Sequence, residues 1–183
     1  MAFRRAAPRS LIAATSAALL AVCAGALAGA DAARAPTPVA DRIVGLIQYV
    51  RWPGEPDLAR WDVCVAAGGI APAGSDLPPA RGRPIAVRVL SAGESPERCQ
   101  ILDATGVPPG GVRALLERTR RMPVVTIGEG ESFCTAGGII CLRPAGSGGG
   151  FEVNLSALQE AGLNANAQLL MLGRRRQTPG GAP

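Results

Sequence analysis

The most regular hydrophobic pattern in the chain lies near its start, where apolar side chains recur at helical spacing. Ile43, Leu46, Ile47 and Val50 stand at positions i, i+3, i+4 and i+7. This spacing predicts an amphipathic helix with one apolar face. Pro53 is predicted to end the helix, because proline cannot continue it.

Two aromatic residues, Tyr49 and Trp52, fall in the last turn of this predicted helix. An indole at such a position usually anchors the helix in the core, where its large apolar area is buried. Trp52 can also mark an exposed contact surface, since aromatic side chains are enriched where proteins bind one another. The sequence pattern leaves both interpretations open.

Farther along the chain, short apolar runs bounded by glycine, proline and serine replace the helical pattern. Such runs are typical of β-strands. Continuous apolar character, strongest in residues 123–128, is typical of buried parallel strands. Six strands are predicted, over residues 61–66, 84–90, 99–103, 123–128, 138–142 and 150–154.

Three further helices are predicted around these strands. One follows a Pro/Gly break at 108–111, one begins at Ser156 with Asn154 as its N-cap and ends at Gly162, and one closes the domain. Their apolar residues are Val112, Leu115 and Leu116, then Leu155, Leu158 and Leu163, and finally Leu169, Leu170 and Leu172. Strands alternating with helical segments predict the α/β class, as a single-domain sandwich with a mostly parallel sheet of about six short strands flanked by helices.

The N-terminal 30 residues have the order of a secretory signal peptide. Three arginines lie within the first nine residues, residues 11–27 are apolar, and Ala28-Gly29-Ala30 is a small-x-small cleavage site. An uncleaved membrane anchor and a lipoprotein signal at Cys23 are the alternatives. With cleavage after Ala30, residues 31–37 are predicted to be a disordered lead-in, 38–176 the α/β domain and 177–183 a disordered tail.

Removal of the signal peptide leaves four of the five cysteines. An even number in an exported chain predicts two disulfides, for which three pairings are possible. The cysteine spacing is not CxxC, and the chain contains no histidine, which argues against a metal site. Cys134 and Cys141 also permit a redox pair, although such pairs usually lie closer together, at the start of a helix.

Charge and composition point away from nucleic acid. The formal net charge is +5, but the three arginines of the signal peptide supply part of it, and aromatic residues make up only 3% of the chain. The one basic run, at 174–176, is typical of a solvated helix end, where cations suit the helix dipole. We therefore predict no nucleic-acid partner.

No catalytic or cofactor site is predicted either. A chain without histidine cannot build a Ser-His-Asp or Cys-His apparatus. The glycine-rich segments at 68–69 and 146–150 lack the spacing of a phosphate-binding loop. Asp103, Glu129 and Glu131 are possible acid/base groups, but they read as ordinary loop carboxylates.

Several short motifs in a fixed order resemble the YfiR-like family of exported repressors, over about residues 38–175. The resemblance rests on Tyr49-Val50-Arg51-Trp52-Pro53, Val63-Cys64-Val65, Arg81-Gly82-Arg83-Pro84, Cys99-Gln100-Ile101-Leu102, Val124-Val125-Thr126-Ile127-Gly128, Gly137-Gly138-Ile139-Ile140, Phe151-Glu152-Val153-Asn154-Leu155, Ala161-Gly162-Leu163 and Leu169-Leu170. One departure is the Pro- and Gly-rich segment 68–79, where relatives commonly have a helix.

The resemblance implies a periplasmic, non-catalytic α/β regulator without a cofactor. Its implied partners are an inner-membrane diguanylate cyclase of the YfiN type, or another sensor protein, and an outer-membrane lipoprotein of the YfiB type that relieves repression. A homodimer is a further expectation. The implied disulfides are Cys64–Cys99 and Cys134–Cys141, and the candidate partner surface comprises Tyr49, Trp52, Phe151, Leu169 and Leu170.

Two other classes of function remain open on the sequence. A small-ligand-binding protein would use a comparable α/β fold, but about 150 residues form one lobe rather than two. A thiol-disulfide oxidoreductase would need one of the cysteine pairs to be reactive.

Overall fold

The structure is a computed structural model that describes residues 38–69, 77–143 and 150–175. The predicted signal peptide, lead-in and C-terminal tail lie outside these residues, as does part of the Pro- and Gly-rich segment. Within them, no helix combines the length and apolar character needed to cross a membrane.

Eight strands and five α-helices make up the described chain. The strands are β1 (Val50–Arg51), β2 (Trp61–Val65), β3 (Ile85–Val89), β4 (Ile101–Asp103), β5 (Val125–Glu129), β6 (Ile140–Leu142), β7 (Phe151–Val153) and β8 (Asn164–Ala165). The helices are α1 (Pro38–Tyr49), α2 (Pro109–Thr119), α3 (Glu131–Thr135), α4 (Leu155–Glu160) and α5 (Ala167–Arg175). A short 3-10 helix spans Glu55–Asp57.

Six of the strands form one sheet in the order β3-β2-β4-β5-β6-β7. The first five are parallel, and only β7 runs antiparallel to its neighbour. The central strands β4 and β5 are almost entirely buried, which is why they read as continuous apolar runs. The predicted mostly parallel sheet of six strands is confirmed.

Successive side chains of a strand point to opposite faces of the sheet, and each face has its own core. Val63, Ile101 and Ile140 belong to one buried cluster, together with apolar residues of α1, α4 and α5. The residues that directly follow them, Cys64, Leu102 and Cys141, belong to a second cluster, with residues of α2 and α3. The sheet is therefore flanked by helices on both faces, as the sandwich prediction requires.

The first helix is shorter than predicted, and a strand follows it. Helix α1 ends at Tyr49, and the next two residues form β1, which pairs antiparallel with β8 in a separate two-stranded sheet. Val50 is fully buried in this arrangement. Trp52 precedes a proline, a position that disfavours helical dihedrals. The prediction that the helix continues to Pro53 is therefore wrong.

Helices α2 and α4 also differ from the prediction, the first in where it begins and the second in which residues it buries. Helix α2 includes Pro109 and the two glycines of the predicted break, because proline is accommodated in the first helical turn. Helix α4 has the predicted N-cap, with Asn154 Oδ1 accepting from the Ala157 N–H at 3.1 Å. Leu155, predicted to line this helix, is 45% exposed instead.

Helix α3, which was not predicted, is fixed by one aromatic ring. Phe133 is 2% exposed, and its ring lies between Gly128 of β5 and Gly138 at the approach to β6. A Cβ atom added at either glycine would overlap the ring. The two glycines thus let an aromatic side chain pack directly on the backbone of the sheet.

Candidate functional site

The first disulfide ties two central strands together. Cys64 lies in β2, and Cys99 lies just before β4, with an S–S distance of 1.96 Å and a Cα–Cα distance of 5.8 Å. Both residues are buried, at 0% and 1% exposure. The bond spans 35 positions of sequence, so it closes the loop that contains β3.

The second disulfide ties α3 to β6. Cys134 and Cys141 are seven positions apart, with a Cα–Cα distance of 5.6 Å. Asn154 adds a further link, because its Nδ2 donates to the Cys134 carbonyl at 3.1 Å while its Oδ1 caps α4. The structure thus contains both bonds that the resemblance implies, and both lie in the buried cluster beside α2 and α3.

A compact group of aromatic and charged side chains lies at the amino-terminal ends of β2 and β3. We call it the Trp–Arg cluster, and its members are Trp52, Glu55, Trp61, Arg81 and Arg83. The two indoles are 5.2 Å apart between ring centroids, at an interplanar angle of 55°. The two guanidinium carbons lie 5.8 and 5.9 Å from the centroid of the Trp61 ring, within the range of cation–π attraction.

Arg81 joins this cluster to the first helix. It forms an ion pair with Glu55, whose side chain is only 10% exposed. It also donates to the carbonyl oxygens of Ile47 and Val50, at 3.4 and 3.3 Å. A single cation therefore satisfies a buried carboxylate and the carbonyl end of α1. Because β1 follows α1 directly, the cluster fixes where the small β1–β8 sheet lies.

The five residues of the candidate partner surface do not share one environment. Trp52 and Leu169 are 6% and 1% exposed, so both are core residues and offer almost no area to a partner. Tyr49, Phe151 and Leu170 are half-buried. The core interpretation of Trp52 therefore holds, and its Nε1 donates to the Gln100 carbonyl at 3.1 Å. Burial removes Trp52 and Leu169 from the candidate surface.

The candidate partner surface omits the large apolar side chains that are exposed. Met171 and Leu172 of α5 are 53% and 38% exposed, Leu155 of α4 is 45% exposed, and Val89 of the edge strand β3 is 60% exposed. Helix α5 packs on β7. A Cβ atom added at Gly173 would lie 3.6 Å from the Phe151 ring, so the helix passes close to this side chain. The helical period could have predicted this exposure. Leu169 points to the core, and Met171, two residues later, is rotated by about 200° around the helix axis from Leu169.

The three candidate carboxylates do not converge. Asp103 is fully buried, and its Oδ1 accepts from the backbone N–H of Thr105 at 2.8 Å and from the Thr105 hydroxyl, while its Oδ2 has no partner among the described residues. Glu129 and Glu131 are exposed. The described residues contain no group of three or more metal-ligating side chains.

One surface carboxylate has a perturbed acidity. The pKa of Glu94 lies below its usual value of 4.5, because the Ser91 backbone N–H donates to it and the Arg88 guanidinium pairs with it. Arg88 Nη2 also lies 3.7 Å from the Cys99 sulfur. This network connects β3 to the loop that carries the first disulfide.

Two of the motifs that carried the resemblance supply members of the Trp–Arg cluster, and a third contacts it, although the three are distant in sequence. Trp52 and Arg81 come from two of these motifs, and Gln100 from a third. Gln100 also accepts the Asp62 N–H on its side-chain oxygen at 2.7 Å. Residues 39–174 match the family model described as YfiR/HmsC-like, which covers well over half of the chain and nearly all of the described α/β domain. The chain therefore belongs to the YfiR/HmsC-like family.

Proposed function

We propose that this protein is a periplasmic, non-catalytic regulator that binds the periplasmic part of an inner-membrane signalling enzyme and holds it inactive. The expected enzyme is a diguanylate cyclase of the YfiN type, and an outer-membrane lipoprotein of the YfiB type relieves the repression. The observation that carries the proposal is the family match across the α/β domain. The two disulfides support export, because such bonds persist in oxidising compartments.

The contact surface is proposed to lie on α5 and the edge strand β7. Phe151 and Leu170 are half-buried there, and Met171 and Leu172 of the same helix are exposed. Exposed apolar side chains grouped on one element are typical of protein-binding surfaces. Tyr49 belongs to the neighbouring helix α1, which contacts α5.

Export is tested by the N-terminus of the mature protein. Intact-mass spectrometry of protein from a periplasmic extract should give a chain that begins at Asp31. An intact Met1, or a lipid on Cys23, would contradict cleavage after Ala30.

Repression is tested in cells that express the candidate cyclase together with this protein. Cyclic-di-GMP should fall when the wild-type protein is present and recover in the Met171→Glu/Leu172→Glu variant, because two charges would have to be buried at the contact. Val89→Glu is the matched control, since Val89 is also an exposed apolar residue but lies on the opposite edge of the sheet. Equal recovery in the control would contradict the proposed surface, and unchanged cyclic-di-GMP with the wild-type protein would contradict the cyclase as partner.

A second copy of the chain could bind the same α5–β7 surface in place of the signalling enzyme and form a homodimer. Light scattering of the purified wild type and of the Met171→Glu/Leu172→Glu variant separates the two cases. A dimer that dissociates only in the variant would assign the surface to a second copy of the chain.

A further inference from the structure

A cleft of about 260 Å³ opens at the amino-terminal ends of β5 and β6. The end of α2, the turn after α3 and one side of α4 form its walls. Its base is formed by Leu116, Val124, Thr126 and Ile139, which are all 5% exposed or less. This cleft lies away from the α5–β7 surface proposed to contact the signalling enzyme, because α5 and β7 contribute no residue to its lining.

The walls of the cleft are held in place by bonds already described. The Cys134–Cys141 disulfide fixes the α3 side, and Asn154 bonds α3 to the start of α4. On the α2 side, the Thr119 hydroxyl donates to the Leu116 carbonyl at 3.1 Å, and the Thr119 carbonyl accepts from the Met122 N–H at 2.9 Å. Rigid walls lower the entropic cost of binding, because little of the site must be ordered when a ligand enters.

The mouth of the cleft carries three arginines. Arg113 and Glu117 stand at i and i+4 of α2 and share one face of the helix. Arg120 follows the last residue of the helix in a non-helical conformation, with φ of −53° and ψ of 129°. Arg121 follows in a left-handed turn with φ of 64°. With Glu160 of α4, the lining contains three positive and two negative side chains.

Only one of these arginines has an ionic partner among the described residues. Arg120 Nε lies 3.8 Å from Glu160 Oε2, and the two side chains are 68% and 57% exposed. An exposed pair at this distance contributes little stability, so an incoming anion can exchange for Glu160. Arg113 and Arg121 form no ion pair within the described part of the chain.

We propose that this cleft binds a small organic anion, with its carboxylate or phosphate among Arg113, Arg120 and Arg121 and the rest of the molecule between the walls of the cleft. A volume of about 260 Å³ suits an amino-acid-sized or single-ring ligand. The site does not depend on the regulatory role proposed above.

Benzoate and its neutral analogue benzamide are the probes, because they share a ring and differ in charge. Chemical-shift perturbation of the isotope-labelled mature chain should show saturable shifts for benzoate at the amides of Thr135, Gly137 and Ala157, which line the cleft. Benzamide should bind at least tenfold more weakly. Raising the salt concentration should weaken benzoate binding, since screening reduces the attraction of the exposed arginines.

The Arg113→Gln/Arg121→Gln variant should raise the Kd for benzoate at least tenfold while leaving the thermal unfolding curve unchanged. Arg118→Gln is the matched control, because Arg118 is an exposed arginine of the same helix that does not line the cleft. Absence of saturable benzoate shifts, equal affinity for benzamide, or an equal loss in the Arg118→Gln variant would each overturn the proposal.

Discussion

The two disulfides should differ in how much they stabilise the fold, because they close loops of different length. In the chain-entropy model a cross-link stabilises mainly by restricting the unfolded chain, and the effect grows with the logarithm of loop length. The Cys64–Cys99 bond spans 35 positions, and the Cys134–Cys141 bond spans seven.

The model gives about 3.8 kcal/mol for the longer loop and about 2.4 kcal/mol for the shorter one at 25 °C. At roughly 3 °C per kcal/mol for a domain of this size, loss of the longer bond should lower Tm by about 11 °C and loss of the shorter by about 7 °C. Alanine substitutions add a packing term, because Cys64 and Cys99 are almost fully buried. The two effects must be separated before the loop lengths can be compared.

The separation needs two double variants, Cys64→Ala/Cys99→Ala and Cys134→Ala/Cys141→Ala, each measured by urea unfolding with and without a reducing agent. Under reducing conditions neither bond exists, so the difference between a variant and the wild type reports only packing. Subtracting it from the oxidised difference leaves the cross-link contribution. A contribution from the shorter loop that equals or exceeds that of the longer one would refute the reasoning.

The same variants also bear on the proposed regulation. If the bonds keep the partner-binding surface in shape, each oxidised variant should repress the cyclase less strongly than the wild type. Full repression by a destabilised variant would show that the bonds serve stability alone.

Three other perturbations test the packing and electrostatics of the fold. Replacing Arg81 by methionine should destabilise the protein by about 3 kcal/mol in chemical unfolding, because it leaves the nearly buried Glu55 carboxylate without its partner; adding Glu55→Gln should recover part of this loss, and no recovery would contradict the pairing. Gly138→Ala should lower stability by roughly 1–3 kcal/mol, because the new methyl group displaces the Phe133 ring, and an unchanged Tm would contradict that contact. The lowered pKa of Glu94 stabilises the fold at pH values above the unfolded pKa, near 4.5, and this contribution is lost as the pH falls through the folded pKa. The difference in unfolding free energy between the wild type and Glu94→Gln should therefore shrink below pH 4.5. A difference that grows there would refute the assignment.

Much of the secondary structure could be predicted because its signals are local. The runs around β2 to β7 are short and apolar. Asn154 stands directly before α4, and its side-chain oxygen accepts a hydrogen bond from a backbone N–H of the first turn. The errors fall where a distant segment competes with local preference. Val50 fits the helical stripe of α1, yet it lies in β1 because Ala165 pairs with it from the far end of the domain.

The candidate sites were less predictable than the fold. The family resemblance implied the disulfide pairing, whereas cysteine count alone left three possibilities. The partner residues were chosen for size and apolarity, but these properties favour the core as much as the surface. Trp52 and Leu169 are accordingly buried, while Met171, which sequence reasoning passed over, is exposed.

The sequence by itself determined the α/β class, the approximate position of each main strand, the absence of histidine chemistry and the family. These follow from residue identity and from periodicities that act within a few positions of the chain. Only the tertiary structure decided which apolar residues are exposed, how Phe133 packs between two glycines, and how α2, α3 and α4 enclose an arginine-rimmed cleft. The physical reason is that burial and the convergence of charges depend on which distant segments pack together, and local propensity does not encode that choice.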